Sequence, residues 1–304
     1  MHNLQILQYN VHKRKDIMAL LVGSPAARKY DILAIQEPWI NPFQPATYCP
    51  SSSPFLPVFG TKSKRSCLLI NKKLDPNHWE TLVSSSDLCS IRLSYGDDTT
   101  WVHSAYSQPP CSYSIEASQY NNPLELLSQL YQDHPDHQHI TVGDFNLHHP
   151  LWTSIHTPTA HTAADRLIEI TIEAGACELL TPPGLITYPT TLGGTTIDLA
   201  FVTEAVANRL LECRVAPELD FSSDHQPVSV CFQAPMIATQ ARPIRCWKRA
   251  NLELANTLVA SLDYSRPIGS TTELDAYAQY LSSFLVEVMR ATVPLRRASS
   301  FANP

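Results

Sequence analysis

The sequence predicts an α/β fold of two packed β-sheets with helices on their outer faces, followed by a helical tail. About nine short apolar runs rich in β-branched residues read as strands, and only three helical patterns lie among them. After about residue 233 the pattern turns helical. Strands this numerous with so few helices argue against a doubly wound parallel sheet, which alternates the two.

The strand runs are Leu4–Val11, Asp31–Gln36, Cys67–Asn71, Leu88–Ser94, Thr100–Tyr106, His139–Val142, Thr196–Val202, Leu210–Ala216 and Val228–Phe232. The helical patterns are Asp16–Val22, then Pro123–Gln132 with Asn122 as candidate cap and Pro123 at its first position, then Thr162–Ala174 ending at Gly175. Met236–Pro243 reads as a linker. Beyond it Ala250–Leu262 and Glu273–Met289 carry apolar residues at helical spacing, and Ser270 with Glu273 forms a capping-box pattern. The expected division is a body over residues 1–235 and an extension over 236–304.

With 304 residues and 44% hydrophobic content, the chain is long and apolar enough to bury a sizeable core. No membrane span is expected, and the first fifteen residues do not read as a secretory leader, because Gln5, Gln8 and Asn10 interrupt the apolar positions. The eight cysteines show no CxxC pair and no framework spacing, so reduced thiols in an intracellular protein are expected. Net charge is −6, but residues 1–232 carry 14 Lys/Arg against 23 Asp/Glu and residues 233–304 carry 8 against 5. An acidic body does not grip nucleic acid by bulk charge alone, yet it suits a site where bound cations offset carboxylates.

Three segments carry candidate chemistry. In His139–Trp152 an apolar strand runs into Gly143 and then offers Asp144, Asn146, His148 and His149. Asp144 and Asn146 are two apart, so in extended backbone both side chains leave one face and converge on one phosphate or water; a polar turn serving local backbone bonds explains them equally. The strand Ile32–Gln36 leads to Glu37 just before Pro38. A carboxylate there suits a hard Mg²⁺ ion, and a solvated loop glutamate is the alternative. The loop Ser222–Val228 sets Asp224 beside His225, a residue suited to proton transfer near neutral pH. His225 needs an orienting carboxylate, and Asp198 is the leading candidate because it interrupts an apolar strand where an unpartnered charge is costly.

Taken in order, QYNV with Asn10, QEPW with Glu37, SAYSQPP with Tyr106, GDFNLHHPLW with Asp144 and Asn146, TIDLAFV with Asp198, and SSDHQPV with Asp224 and His225 resemble the successive motifs of the endonuclease/exonuclease/phosphatase superfamily. HHPLW and the later Cys246–Ala250 stretch particularly resemble the endonucleases of LINE-type (non-LTR) retrotransposons. The resemblance covers about residues 4–232. It implies a four-layered αββα sandwich, deoxyribonuclease I-like, with the site at one end of the sheets.

The resemblance also implies roles. Glu37 would be the principal Mg²⁺ ligand, with Mn²⁺ as a substitute, assisted by Asn10 and Asp224. Asp144 would orient or deprotonate the attacking water, with Asn146 and Tyr106 holding the phosphate. His225, paired with Asp198, would donate to a phosphate oxygen. A nick leaving a 3′-hydroxyl would prime reverse transcription in the nucleus. His12 stands two residues after Asn10, where some relatives carry an acidic metal ligand, and the chain ends at Pro304 without the reverse transcriptase domain that the resemblance places after it. DNA contacts are expected from Lys13 and Arg14 beside the first strand and from Lys62, Lys64 and Arg65, with Lys72 and Lys73 close by. Trp39 and Tyr48 offer either base stacking or packing. The other readings are a phosphatase acting on inositol lipid, a sphingomyelinase-like phosphodiesterase and an inactive nucleic-acid-binding remnant.

Overall fold

The computed structural model describes residues 3–43, 46–59, 65–95, 98–109, 123–153, 162–191, 193–233, 244–262 and 269–296. The chain divides into two compact units, Met1–Ile237 and Ala238–Pro304.

The first unit holds β1 (Asn3–Asn10), α1 (Lys15–Gly23), β2 (Ile32–Gln36), β3 (Phe55–Phe59), β4 (Ser66–Asn71), β5 (Trp79–Ser84), β6 (Leu88–Tyr95) and β7 (Asp98–Tyr106). It continues with α2 (Pro123–Asp133), β8 (Gln138–Asp144), α3 (Thr162–Ile168), β9 (Cys177–Leu179), β10 (Asp198–Thr203), α4 (Glu204–Ala207), β11 (Leu210–Val215) and β12 (Val228–Gln233). One sheet runs β11-β12-β1-β2-β4-β3 and the other β5-β6-β7-β8-β10-β9. The pairs β1–β2 and β7–β8 are parallel, and all the other pairs are antiparallel.

Alternation along the strands builds the layers. Leu4 and Ile6 of β1, Ile32 and Ala34 of β2, Val102 of β7, Val142 of β8, Ala200 and Val202 of β10, and Val228 and Val230 of β12 share one apolar core. The alternate residues face outward. Leu7, Tyr9, Leu33 and Leu69 pack under Ile17, Met18 and Leu21 of α1. Trp101, Ala105, Leu199 and Phe201 pack under Leu127 of α2 and Leu167 of α3. This is the expected αββα sandwich. Its helix α3 passes into a wider π-helical turn over Glu169–Ala174 before Gly175.

All nine expected strands form, to within two residues at most of their ends. Three further strands of this unit, β3, β5 and β9, were not expected, and all three lie at sheet edges. An edge strand pairs on one side only and is often short, so its apolar pattern is weak. β3 also contains Pro57, which an edge tolerates.

The second unit contains β13 (Ile244–Arg245), α5 (Leu252–Ala260), α6 (Thr271–Thr292) and β14 (Leu295–Arg296). β13 and β14 form a two-residue antiparallel ribbon. The Ser270 hydroxyl accepts from the Glu273 N–H at 3.2 Å, and the Glu273 carboxylate accepts from the Gly269 N–H at 2.8 Å, a capping box displaced by one residue on its return bond. The guanidinium of Arg245 donates to the carbonyls of Met289 and Val293 at the far end of α6.

Candidate active site

The inward face of the sandwich changes from apolar to polar at one end. On β1 the inward series Leu4, Ile6 continues as Gln8 and Asn10; on β2 as Gln36; on β7 as Ser104 and Tyr106; on β8 as Asp144; on β10 it begins with Asp198. All seven of these side chains join the two sheets by hydrogen bonds, with Glu37 as an eighth partner. Asn10 donates to Asp144 Oδ2 at 2.9 Å, Gln8 to Asp198 Oδ1 at 2.7 Å, Gln36 to Ser104 Oγ at 2.9 Å, and the Tyr106 hydroxyl to Glu37 Oε1 at 2.5 Å. The mouth beyond them is a cavity of about 440 Å³ lined by Asn10, His12, Glu37, Tyr106, Asp144, Asn146, His148, Asp224 and His225, with Tyr188, Thr190 and Thr195 on one wall.

Local backbone sets each group. Gly143 lies opposite Ala105 in the parallel β7–β8 pair, and a Cβ on it would stand 2.1 Å from the Ala105 carbonyl oxygen. The glycine therefore lets β7 and β8 close up just before Tyr106 and Asp144, which are themselves register partners. Asp198 is the register partner of Asp144 on the other side, so two carboxylates stand side by side. Glu37 and Asn146 both adopt left-handed backbone, with φ of 46° and 51°, as do His12, Lys13 and Ser222 around the same mouth. Such conformations are costly for non-glycine residues and persist where surrounding contacts hold them. At Glu37 the holding bonds are its N–H to the Arg65 carbonyl at 2.8 Å and the Lys13 N–H to its own carbonyl at 2.7 Å.

His225 lies in the loop before β12, with Nδ1 2.8 Å from Asp198 Oδ2 and Nε2 3.7 Å from Asp144 Oδ2. The loop is fastened to β1: the Tyr9 hydroxyl accepts from the Phe221 N–H at 3.1 Å, and the Ser223 hydroxyl donates to the Asn10 carbonyl at 2.8 Å. Tyr188 packs edge-on against the His225 ring with centroids 4.9 Å apart.

Residues 100–229 match the family model described as endonuclease-reverse transcriptase. Among solved structures, the chain is similar to the endonuclease domain of TRAS1, a telomere-specific non-LTR retrotransposon, at 20% identity and a TM-score of 0.58 over 76% of this chain and 98% of that one. The family match falls within the sandwich unit, and the likeness shows its fold. Two further solved structures share its fold. The AP endonuclease LMAP from Leishmania major matches with a TM-score of 0.60 at 13% identity, over 77% of this chain and 89% of that one. The APE2 catalytic domain of Xenopus laevis matches with a TM-score of 0.53 at 14% identity, over 77% and 94%. No curated protein sequence matches the chain.

Electrostatics divide the site in two. Burial raises the pKa of Asp144, and the neighbouring Asp198 carboxylate raises it further, against the pull of His225 and Asn10. For His225 burial acts downward but is outweighed by Asp198, then Asp144 and Asp224, so its pKa rises to about 9 and the imidazolium is the form held at neutral pH. Ligand atoms of Asp144, Asp198 and His225 lie within 4.8 Å of one another, as a metal trio would require. Both Asp198 oxygens and His225 Nδ1 are nevertheless already engaged in hydrogen bonds, and a cation there would break them. The oxygens at the mouth, from Glu37, Asn10 and Asp224, offer the all-oxygen set a hard divalent ion takes, and they too have partners: Glu37 meets Tyr106 and Lys13, Asn10 Oδ1 accepts from the His12 N–H, and Asp224 meets His12 and Ser223.

Several expected partners differ. Asn146 was assigned to the phosphate, but its amide donates to the Ser107 carbonyl at 2.9 Å and to Asp144 Oδ2 at 3.0 Å, so both its hydrogens steady the β8 end. Tyr106 likewise gives its hydroxyl hydrogen to Glu37. Of the expected DNA contacts, Arg65 is bidentate to Asp87 at 2.5 and 2.6 Å and braces the mouth from behind. Arg14 is paired with Asp16 and donates to the Ser222 carbonyl. Lys13 lies 3.2 Å from Glu37 Oε2 with its side chain 68% exposed. Lys62 and Lys64 lie outside the described residues. Lys72 donates to the Ser51 and Ser53 carbonyls and Lys73 pairs with Asp31, so both brace the strand ends. Trp39 and Tyr48 pack on the outer core, with Lys15 over both rings. Gln8 and Gln36 were not singled out from the sequence, although a polar side chain at an inward strand position is the same signal that marked Asp198.

Proposed function

We propose that the sandwich unit is a divalent-metal-dependent endonuclease that nicks DNA by phosphodiester hydrolysis. What carries the reading is that Glu37, Asp144 and His225, from three distant parts of the chain, line one cavity. A water attacks phosphorus in line while the P–O3′ bond breaks; the departing 3′-oxygen takes a proton from solvent, leaving a 3′-hydroxyl and a 5′-phosphate. Asp144, held by Asn10 and Asn146, orients that water and takes its proton; its raised pKa makes it a stronger base than an ordinary carboxylate. His225 bonds Asp198 through Nδ1, which leaves Nε2 to donate to a non-bridging phosphate oxygen. Glu37 with Asn10 and Asp224 would hold Mg²⁺ or Mn²⁺, which would supply positive charge against the phosphate oxygens.

DNA is the proposed substrate because the family match and the TRAS1 likeness both concern endonucleases of reverse-transcribing elements. In that setting the 3′-hydroxyl primes synthesis by a reverse transcriptase domain, and the protein works in the nucleus. Among the described residues no helix is long and apolar enough to cross a membrane. Incubation with supercoiled plasmid and Mg²⁺, with and without chelator and beside an inositol phospholipid, tests the reading. Chelator-sensitive nicking is expected; release of phosphate from the lipid without nicking would assign the site to a phosphatase, and silence on both would make it a binding remnant.

A further inference from the structure

Behind the cavity lies a second polar layer that lines no part of it. Asp198 Oδ2 faces His225, and Oδ1 accepts from Gln8 Nε2 at 2.7 Å. The other Gln8 amide hydrogen goes to Gln36 Oε1 at 2.8 Å, Gln36 Nε2 donates to Ser104 Oγ at 2.9 Å, and Ser104 Oγ meets Ser66 Oγ at 2.7 Å. The chain of bonds crosses from one sheet to the other and back, and every member is at most 1% exposed.

Stability alone does not account for Gln8. Its Oε1 is buried and accepts no hydrogen bond among the described residues. An orphaned acceptor costs free energy that an apolar side chain of equal size would not. The next inward residue on the same strand, Ile6, shows that this core accepts aliphatic groups. The amide hydrogens of Gln8 make the difference, and one of them ends on Asp198.

We infer that Gln8, fixed by Gln36, Ser104 and Ser66, is a positioning residue: it pins Asp198 so that the carboxylate accepts the hydrogen bond of the His225 Nδ1–H and keeps Nε2 directed to the cavity. The inference rests on the phosphodiesterase reading only for its consequence in turnover; the geometric part stands apart from it. Outer-shell partners of this kind are worth about 10- to 100-fold where they have been removed in metal sites, and a similar loss is expected here.

The test uses the full chain with ¹⁵N-labelled histidine and the near-isosteric Gln8→Met. In the parent, the Nδ1–H of His225 should give a downfield proton resonance that is lost in His225→Gln. Gln8→Met should shift or broaden that resonance and lower kcat for plasmid nicking by about 10- to 100-fold with KM within about twofold. Ile70→Val, in the same core but remote from Asp198, should lower Tm and leave both unchanged. Ser104→Ala should move the resonance the same way by less, and it serves if Gln8→Met does not fold. A parental resonance in both Gln8→Met and Ser104→Ala, its absence in the parent, or an equal change in Ile70→Val would overturn the inference. A parent that does not nick, with the resonance still lost in Gln8→Met, would defeat the nuclease reading and uphold the positioning.

Discussion

Replacing Gly143 by Ala tests how the strand geometry sets the chemistry. The new Cβ would stand 2.1 Å from the Ala105 carbonyl oxygen and 2.8 Å from its carbon, both backbone atoms that cannot rotate away. Ordinary contact needs more than about 3 Å, so β7 and β8 must part by about 1 Å where Tyr106 and Asp144 pair. Overpacking of this kind costs about 1–3 kcal/mol of stability. A displacement of about 1 Å at reacting groups costs on the order of 10²-fold in rate. Thermal unfolding and single-turnover nicking, measured on the same preparation well below its Tm, separate the two effects. The expected result is a folded protein whose chemical step is slowed about a hundredfold. Parental turnover in a variant whose Tm has fallen would refute the claim that close strand approach places Asp144.

Acid should destabilise the sandwich through two buried histidines on the outer face of the second sheet. Burial lowers the pKa of His103 and brings that of His139 from 6.5 to about 4, while their rings share a 3.0 Å contact. Both groups take up protons more readily when unfolded, so this stability is complete above pH 6.5 and drains as pH falls toward 4; His139 alone accounts for roughly 3 kcal/mol. Urea titrations at several pH values check it, and a flat profile across that window would contradict it. Nicking should fail as pH rises through about 9, where His225 loses its proton, and Asp198→Asn should move that alkaline limb downward in a pH–rate series. An unmoved limb would separate His225 from Asp198. Glu37→Gln should weaken the binding of Mn²⁺ measured calorimetrically without lowering the unfolding free energy by more than about 1 kcal/mol, and an unchanged titration would remove Glu37 from the metal site.

The interior of the fold was more legible than its margins. Strands β1, β2, β4, β7, β8, β10 and β12 each lie between two neighbours and carry apolar runs with little interruption. β3, β5 and β9 have one neighbour each and no comparable pattern. Within the site, Asp198 stood out because a charged side chain on an inward strand position needs a partner, and its partners are Gln8 and His225; Asp144 stood out as a strand-end carboxylate, and Asn10, which bonds it, only through the QYNV motif. What such reasoning does not give is the partner's identity. Arg65 and Arg14 read as free cations, but Asp87 and Asp16, distant by 22 and 2 residues, absorb them. Asn146 and Tyr106 read as phosphate donors, yet their hydrogens go to Asp144 and Glu37, because left-handed turns and sheet-to-sheet proximity have no signature in residue spacing.

Diffraction from a crystal soaked in Mn²⁺, recorded at a wavelength where the ion scatters anomalously, addresses the division of labour at the mouth most directly. One peak is expected within coordination distance of the Glu37 carboxylate, with the His225–Asp198 hydrogen bond intact beside it. A peak seated among Asp144, Asp198 and His225, with that bond broken, would contradict it.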